Sequence, residues 1–298
     1  DQEWALRVSG LLSTDHRTLL CGNQALTDSL EEAVLARDLP GMADVDGSLL
    51  YFCRQVKQRH TVALCGECAD EIFGGYPWFH RREMFDGSRF PWSGDMGLRS
   101  SLLKPELARE LDLEGYAARR LEESLKEAPT LPGEGEEERR MRQLAYLNMR
   151  WFMATLLERK DRCSMYSGLE VRVPYADHRL AQYVYNVPWQ MKSPGGEPKG
   201  LLRAAAAGLL PEEVLHRRKS PYPKTHNPGY EALLKERLAQ VLRDSAQPIH
   251  RVLSEEAAQG LLRQSFDYGR PWFGQLMAGP QLLAYLLQVN AWLLRYHI

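Results

Sequence analysis

The apolar positions of the first 75 residues alternate between two spacings. Helix-like spacing is present in Trp4–Leu12, Ala25–Leu39 and Leu49–Val56. Short apolar runs at His16–Cys21 and Thr61–Cys65 are typical of strands. Strands that alternate with helices usually form a parallel sheet covered by those helices. The sequence therefore predicts an α/β arrangement for the N-terminal part.

Beyond about residue 100 the spacing is helical alone, and we expect no strand there. Long helices are predicted at Glu106–Leu125 and Glu136–Met165. Four shorter helices are predicted at Asp177–Asn186, Lys199–Gly208, Pro228–Leu242 and Pro280–Tyr296. We therefore predict a partial Rossmann-like parallel sheet in residues 1–90 and a mostly helical part in residues 91–298.

Composition removes several classes of function. The chain has 38 Lys and Arg against 39 Asp and Glu, and this balance argues against a dedicated nucleic-acid-binding protein. The apolar stretch Leu282–Leu294 is interrupted by Gln288 and Asn290 and is too short to span a membrane, so we expect a packed helix. Five scattered cysteines and no signal-peptide pattern favour reduced thiols in a cytoplasmic protein.

The densest chemical cluster is Cys65–Tyr76, which begins where the second predicted strand ends. It contains Gly66 and three carboxylates, those of Glu67, Asp70 and Glu71. If a helix begins at Ala69, Asp70 stands on its first turn and Glu67 just before it. Carboxylates there could hold Mg²⁺, or one of them could act as a general base. Acidic residues are also favoured at helix starts because of the helix dipole, so a purely structural role stays open.

Cys65 and Cys68 have the spacing of a redox pair or of half a zinc site. A structural zinc site needs a second pair, and Cys21, Cys53 and Cys163 do not form one. Two small buried side chains are the alternative interpretation.

Cations and prolines dominate a second cluster, Arg217–Pro228. Its prolines favour an extended loop, and its cations, Lys219 among them, suit a polyphosphate clamp. Alternatively, the cations complement the C-terminus of a helix predicted at Pro211–His216.

In a third cluster, Glu158–Arg162 leads into Gly168–Asp177, where we expect Arg172 and Asp177 to pair and organise a loop.

The three clusters together, in this order, resemble the asparagine synthetase family. Its synthetase domain carries Ser-Gly-Glu-x-Ala/Ser-Asp-Glu-x-Phe-Gly-Gly-Tyr, then Asp-Arg-x-Ser-Met with Gly-Leu-Glu-x-Arg-x-Pro-Phe-Leu-Asp, then Arg-Lys-Lys/Gln. These motifs correspond here to Cys65–Tyr76, Asp161–Asp177 and Arg217–Lys219. The resemblance covers residues 1 to about 230.

This resemblance implies an adenine nucleotide alpha hydrolase-like (ATP pyrophosphatase) fold and an ATP- and Mg²⁺-dependent ligase. The family activates aspartate as an acyl-adenylate with release of pyrophosphate, and ammonia then displaces AMP to give asparagine. By position, the implied roles are nucleotide binding for Cys65 and Gly66, Mg²⁺ binding for Asp70, proton removal for Glu67, charge stabilisation for Lys219, and substrate contact for Asp161 and Arg162.

Three departures from the family pattern limit what is carried over. The phosphate loop Ser-Gly-Gly-x-Asp-Ser is absent, since Ser93–Asp95 and Ser193–Gly196 have the wrong order and place. Cys65 replaces a serine, and Asp44–Ser48 lacks the Thr/Arg pattern associated with aspartate recognition. We therefore expect a chain that begins after the loop, lacks the glutaminase domain and is inactive by itself.

Two alternatives remain. One is a related ligase that amidates another carboxylate, and the other is a non-catalytic remnant that serves as a binding or regulatory module. The retention of Glu67, Asp70 and Lys219 favours an active parent enzyme. A truncated sheet would also expose unpaired strand edges, so we expect a homo-oligomer or an aggregation-prone monomer.

Overall fold

The protein is described by a computed structural model that covers residues 2–93, 96–219, 227–263 and 279–298. Helices dominate these residues, and two short strands accompany them. The helices are α1 Gln2–Leu12, α2 Asn23–Arg37, α3 Asp44–Lys57, α4 Ala69–Phe73, α5 Pro77–His80, α6 Met96–Leu102, α7 Pro105–Leu111, α8 Leu113–Glu127, α9 Glu136–Leu147, α10 Ala154–Tyr166, α11 His178–Asn186, α12 Trp189–Lys192, α13 Gly200–Ala205, α14 Glu212–Leu215, α15 Pro228–Arg243, α16 Glu255–Arg263 and α17 Gly279–Tyr296. The strands are β1 Val62–Leu64 and β2 Glu170–Arg172. The fold class predicted from the sequence, a partial parallel sheet with a mostly helical remainder, is confirmed.

The two strands form a parallel pair, with Val62 opposite Glu170 and Leu64 opposite Arg172. The expectation that no strand occurs in the second part was therefore wrong. β2 contributes one apolar residue, Val171, between two charged ones, so it was too short to produce a recognisable alternation.

The strand predicted at His16–Cys21 was also wrong. These residues have no regular structure, and those from His16 to Leu20 are exposed. A strand forms when a neighbouring strand satisfies its backbone groups, and this stretch has no such neighbour among the described residues.

The predicted Arg172–Asp177 pair was wrong as well. Arg172 pairs with Glu170 at 2.8 Å, and Asp177 caps α11 and pairs with Arg179 at 2.6 Å.

The largest apolar core joins the two ends of the chain. α2, α15 and α17 pack together through leucines such as Leu30, Leu234 and Leu283. The C-terminal stretch is thus a packed helix, as predicted. The polar residues that interrupt it, Gln288 and Asn290, are buried and bonded: Gln288 donates to the Leu30 carbonyl at 3.2 Å, and Asn290 accepts from the Ile249 amide at 3.2 Å. In the described parts of the chain, no helix is both long and apolar enough to cross a membrane.

A second core is aromatic and follows the Cys65–Tyr76 cluster. Tyr76, Trp78, Phe79 and Phe85 are buried against leucines of α8 and α9. α9 continues through a π-helical segment, Asn148–Met153, into α10, which makes one long helix of the predicted Glu136–Met165 stretch. This helix packs against α4 and thereby fixes the position of the Cys65–Tyr76 cluster.

Candidate functional site

The end of β1 is the starting point of the site. The Cys65 amide donates to the Arg172 carbonyl at 2.9 Å, so the parallel ladder extends one residue beyond β1. Gly66 follows in open surroundings, where a β-carbon would meet no atom within 4 Å. Cys68 then adopts a left-handed backbone conformation, with φ of 73°, and α4 begins at Ala69. This is the strand end where open α/β sheets bind their ligands.

Asp70 lies between two lysines that come from distant parts of the chain. Lys219 Nζ is 2.8 Å from Asp70 Oδ2, and Lys199 Nζ is 3.0 Å from Asp70 Oδ1. Burial raises the pKa of Asp70, but the two ammonium groups outweigh it and hold the pKa below its ordinary value. Asp70 is therefore ionised at neutral pH, and the three groups together carry a surplus positive charge.

Gly75 and Tyr76 pack closely against Asp70 and Lys219. A β-carbon on Gly75 would lie 1.9 Å from Asp70 Oδ1, so only glycine leaves room for the carboxylate. The Gly75 amide donates to the Asp70 carbonyl at 2.8 Å. Lys219 Nζ stands 3.8 Å from the centre of the Tyr76 ring, in cation–π contact. The motif glycine and tyrosine thus hold the Asp70–Lys219 pair in place.

The neighbouring carboxylate of Glu71 points into the protein. Its side chain is buried, and it accepts a hydrogen bond from the Tyr76 hydroxyl. Asn148 of the π-helical segment donates to the Glu71 carbonyl at 3.0 Å. Burial raises the pKa of Glu71 and also that of Tyr76. Glu71 therefore anchors α4 to the long helix, which is a structural role.

Glu67 faces a different set of cations, provided by α10. Arg159 Nη2 donates to Glu67 Oε1 at 3.2 Å, and Lys160 Nζ lies 3.3 Å from the same oxygen. Glu67 Oε2 is buried, and it has no hydrogen-bond partner in the described part of the chain. An unpaired buried carboxylate oxygen is costly and requires an explanation, and acceptance of a ligand or a proton is one such explanation.

A cavity of about 310 Å³ opens beside Glu67. Arg159 and Lys160 line it together with Glu67, and the remaining wall is partly apolar. The apolar wall comes from Leu19, Val45, Leu49, Tyr51 and Phe52. The cavity can therefore hold a small anionic molecule with an apolar portion.

The structure gives the other candidate residues different surroundings. Asp161 and Arg162 lie on exposed positions of α10, where Arg162 pairs with Asp38 at 3.0 Å and with Glu158 at 3.1 Å. The Leu215 carbonyl at the end of α14 accepts a hydrogen bond from Arg203 of α13, which lies outside the second cluster. Residues 220–226 of the second cluster lie outside the described residues, and so do Gly94 and Asp95 of the Ser93–Asp95 string.

Cys65 and Cys68 show little of the chemistry of a reactive pair. Burial raises the pKa of the Cys68 thiol to about 12, which disfavours the nucleophilic thiolate at neutral pH. Burial also raises the pKa of the Cys53 thiol. Within the described ranges, no group of three His, Cys, Asp or Glu side chains is arranged to hold a metal ion.

Sequence reasoning missed Lys199, Arg159 and Lys160. Lys199 lies far from Asp70 in sequence, and no local pattern links the two. A signal for Arg159 did exist, because Arg159 and Cys163 are four residues apart and share the buried face of α10.

The comparisons with known proteins agree with these motifs. Residues 1–294 match the family model described as Asparagine synthase. The chain is 48% identical over 299 residues to glutamine-hydrolyzing asparagine synthetase 3 of Bacillus subtilis (strain 168), an alignment that covers 100% of this chain and 48% of the relative. It is 30% identical over 213 residues to synthetase 1 of that strain, covering 61% of this chain and 34% of the relative. Against the glutamine-hydrolyzing asparagine synthetase of Rattus norvegicus it is 25% identical over 225 residues, covering 73% of this chain and 31% of the relative.

The chain spans about half the length of the first of these relatives and about a third of the other two. The family match nonetheless extends over nearly all of its residues, including both sides of the strand-end site. The chain belongs to the asparagine synthase family.

Proposed function

We propose that the protein is the synthetase portion of an ATP-dependent carbon–nitrogen ligase that converts aspartate to asparagine through an acyl-adenylate. The observation that carries the proposal is the pairing of Asp70 with both Lys199 and Lys219 at the end of β1. One carboxylate and two ammonium groups leave a net positive charge at the strand end, and pyrophosphate is an anion of complementary charge. Lysines at such a position stabilise the charge that develops during transfer of the adenylyl group.

Asp70 offers Mg²⁺ a single protein carboxylate, whose two oxygens each contact a lysine. This ion is usually bound by one or two carboxylates and by substrate phosphates rather than by a cage of protein ligands. Asp70 provides one ionised carboxylate, held against Gly75 and facing the two lysines. Bound Mg²⁺ would neutralise phosphate charge there. Asp70 is the residue that we propose to hold it.

Glu67 is proposed as the proton acceptor. When ammonia attacks the carbonyl carbon of the acyl-adenylate, a C–N bond forms, the bond to the AMP oxygen breaks, and the nitrogen must lose a proton. The buried Oε2 of Glu67 has no partner among the described residues and could take that proton. Arg159 and Lys160 hold the opposite oxygen and thereby orient the carboxylate.

The remaining substrate contacts are assigned by position. The open space at Gly66 leaves room for a nucleotide against the backbone of Cys65 and Gly66. The role of Asp161 and Arg162 in substrate binding stays a prediction. Arg159 and Lys160 are better placed for an anionic acceptor, because they line the cavity beside Glu67. A cytoplasmic location and a homo-oligomer also stay predictions.

We propose that the remaining parts needed for the reaction correspond to the half of the Bacillus subtilis relative that this chain does not match. We propose that the phosphate loop and a glutaminase domain are encoded there, and that the chain requires them for activity. Ammonia and aspartate would then be the immediate substrates, and a different acceptor carboxylate is the alternative that a panel of acids would identify.

The test is release of pyrophosphate from ATP and Mg²⁺ in the presence of aspartate and ammonia. We would compare the chain alone with the chain fused behind the N-terminal half of the Bacillus subtilis relative, and expect activity from the fusion only. Lys199→Met and Lys219→Met should each lower the rate of the fusion about a hundredfold. Lys126→Met, which changes an exposed lysine on α8, is the matched control. An unchanged rate in both site variants would overturn the proposed roles.

A further inference from the structure

A second cavity, of about 250 Å³, lies one side chain away from the Glu67 site. Met42 forms part of its wall, and the Met42 sulfur accepts a hydrogen bond from Arg159 Nη1 at 3.6 Å. Arg159 is the residue that also bonds to Glu67. The second cavity is therefore separate from the proposed catalytic site, although it is in contact with one of that site's supporting side chains.

The wall of this cavity is aromatic. It is lined by five aromatic side chains, Phe90, Trp92, Tyr116, Trp151 and Phe152. Several of them hold each other in place, with ring centres 5.6 Å apart for Phe90 and Trp92 and 5.3 Å apart for Trp92 and Phe152. Rings held in fixed positions make a preformed apolar pocket, and planar molecules pack well against such surfaces.

Two polar groups of the wall are engaged in bonds to the protein itself. Trp151 Nε1 donates to the Ser124 hydroxyl at 2.9 Å, and the Thr155 hydroxyl donates to the Trp151 carbonyl at 2.8 Å. Most of the surface that the wall offers is apolar. Trp151 and Phe152 also belong to the π-helical segment, a local irregularity that is frequent at functional sites.

Arg120 is the one charged residue of the wall among the described residues. Its Nη1 bonds to Glu123 at 2.7 Å, and its guanidinium lies 5.4 Å from the centre of the Tyr116 ring. Both members of the Arg120–Glu123 pair are about half exposed, so that pair is weak and easily exchanged. The remaining guanidinium donors are suited to a carboxylate, which they recognise in a planar geometry.

From this arrangement we propose that the cavity binds a small planar aromatic carboxylate. The ring of the ligand lies among the aromatic side chains, and its carboxylate contacts Arg120. The size is sufficient, because an apolar cavity of about 150 Å³ already admits benzene. This site is independent of the ligase reaction proposed above, and it is tested by binding alone.

Phenylacetate and its neutral analogue phenylacetamide are the probes, with dissociation constants measured by calorimetry on the protein. We expect phenylacetate to bind about fivefold more tightly than phenylacetamide. Arg120→Gln should remove that preference, and Arg119→Gln, next to it on α8, should retain it. Ala117→Leu should abolish binding of both probes, because Ala117 lines the cavity. Ala118→Leu, at an exposed neighbouring position, is the matched control for folding and binding.

Two outcomes would overturn the proposal. The first is the absence of phenylacetate binding at millimolar concentration to the unmodified protein. The second is binding that Ala117→Leu leaves unchanged, which would place the probe elsewhere. If Ala117→Leu does not fold, the comparison of Arg120→Gln with Arg119→Gln tests the proposal. An equal loss of phenylacetate affinity in both variants would show a nonspecific charge effect and would overturn it.

Discussion

Asp46 and Asp70 both stand in the first turn of a helix and both contact cations, yet their surroundings are opposite. Asp46 is fully buried, and its Oδ2 accepts from Arg37 Nη1 at 2.8 Å and from the Met42 amide at 2.7 Å. Arg37 is buried as well, so the pair is one-to-one and closed to solvent. Asp70 is about a quarter exposed and shares two lysines that are also partly exposed.

This difference separates a structural ion pair from the proposed binding site. The Arg37–Asp46 pair is balanced, and it fills its space so completely that a β-carbon on Gly41 would lie 1.9 Å from Asp46 Oδ2. The Asp70 group has excess positive charge, access to solvent and open space next to it at Gly66. Charge imbalance at an accessible strand end, rather than the presence of ion pairs, distinguishes the proposed functional region.

Breaking the buried pair should give the largest effect on stability. Arg37→Met leaves Asp46 buried without its cation, and the removal of one partner of such a pair costs about 3–5 kcal/mol of unfolding free energy. Urea unfolding of the variant, followed by circular dichroism, measures this loss. Arg17→Met, at an exposed pair, should change the unfolding free energy by less than about 1 kcal/mol.

The double variant Arg37→Met/Asp46→Leu sharpens this prediction. Because it removes both charges, it should recover much of the stability lost in Arg37→Met. A loss in the single variant no larger than in Arg17→Met would mean that the buried pair does not behave as a desolvated unit.

Lys192 shows the opposite case, a buried cation without a close carboxylate. Its side chain is buried, and no ion pair joins it to a carboxylate in the part of the chain that the structure describes. Burial lowers the pKa of Lys192 from 10.5 to about 8, partly offset by the charge of Glu138. Since the charged form is disfavoured in the fold, Lys192→Met should stabilise the protein at pH 7 by about 2 kcal/mol.

The stability gained by Lys192→Met should depend on pH, because the pKa of Lys192 differs between the folded and unfolded states. Below about pH 8 the folded and unfolded states both carry the charge, so the full cost of burying it is present. Between about pH 8 and 10.5 the unfolded chain binds more protons, and raising the pH therefore stabilises the unmodified fold. The advantage of Lys192→Met in urea unfolding should thus shrink from pH 7 to pH 9.5. The same shrinkage in the exposed-site variant Lys126→Met would contradict this assignment.

The parts of the site that the sequence predicted are local in the chain. The strand end at Cys65, the helix start at Ala69 and the position of Asp70 follow from twelve consecutive residues. A charge-stabilising role for Lys219 was predicted from its loop of cations and the family resemblance, but its contact with Asp70 was not predicted. Lys199 was missed because its contact with Asp70 depends on how α13 packs, and packing leaves no mark in the local pattern.

The same distinction explains the errors in the fold. α17 was predicted because eighteen residues of mostly apolar sequence determine a buried helix almost unaided. β2 was missed and the strand at His16–Cys21 was wrong, because a strand depends on a partner elsewhere in the chain. On α10, the charged run Glu158–Arg162 was noticed, but which of its members face the site depends on the rotation of the helix.

Two glycines of the motif provide the last and smallest test of the comparison. Gly75→Ala would place a β-carbon 1.9 Å from Asp70 Oδ1, so the carboxylate must move away from the two lysines. We expect a loss of about 1–2 kcal/mol in urea unfolding and about tenfold weaker binding of magnesium pyrophosphate by calorimetry. Gly66→Ala is the matched control for stability, because a β-carbon there meets no atom within 4 Å, and its unfolding free energy should stay within about 0.5 kcal/mol. Equal stability and equal pyrophosphate affinity in Gly75→Ala would show that Asp70 reaches its lysines without this glycine, and the contrast with the closely packed Asp46 would then rest on charge imbalance and solvent access.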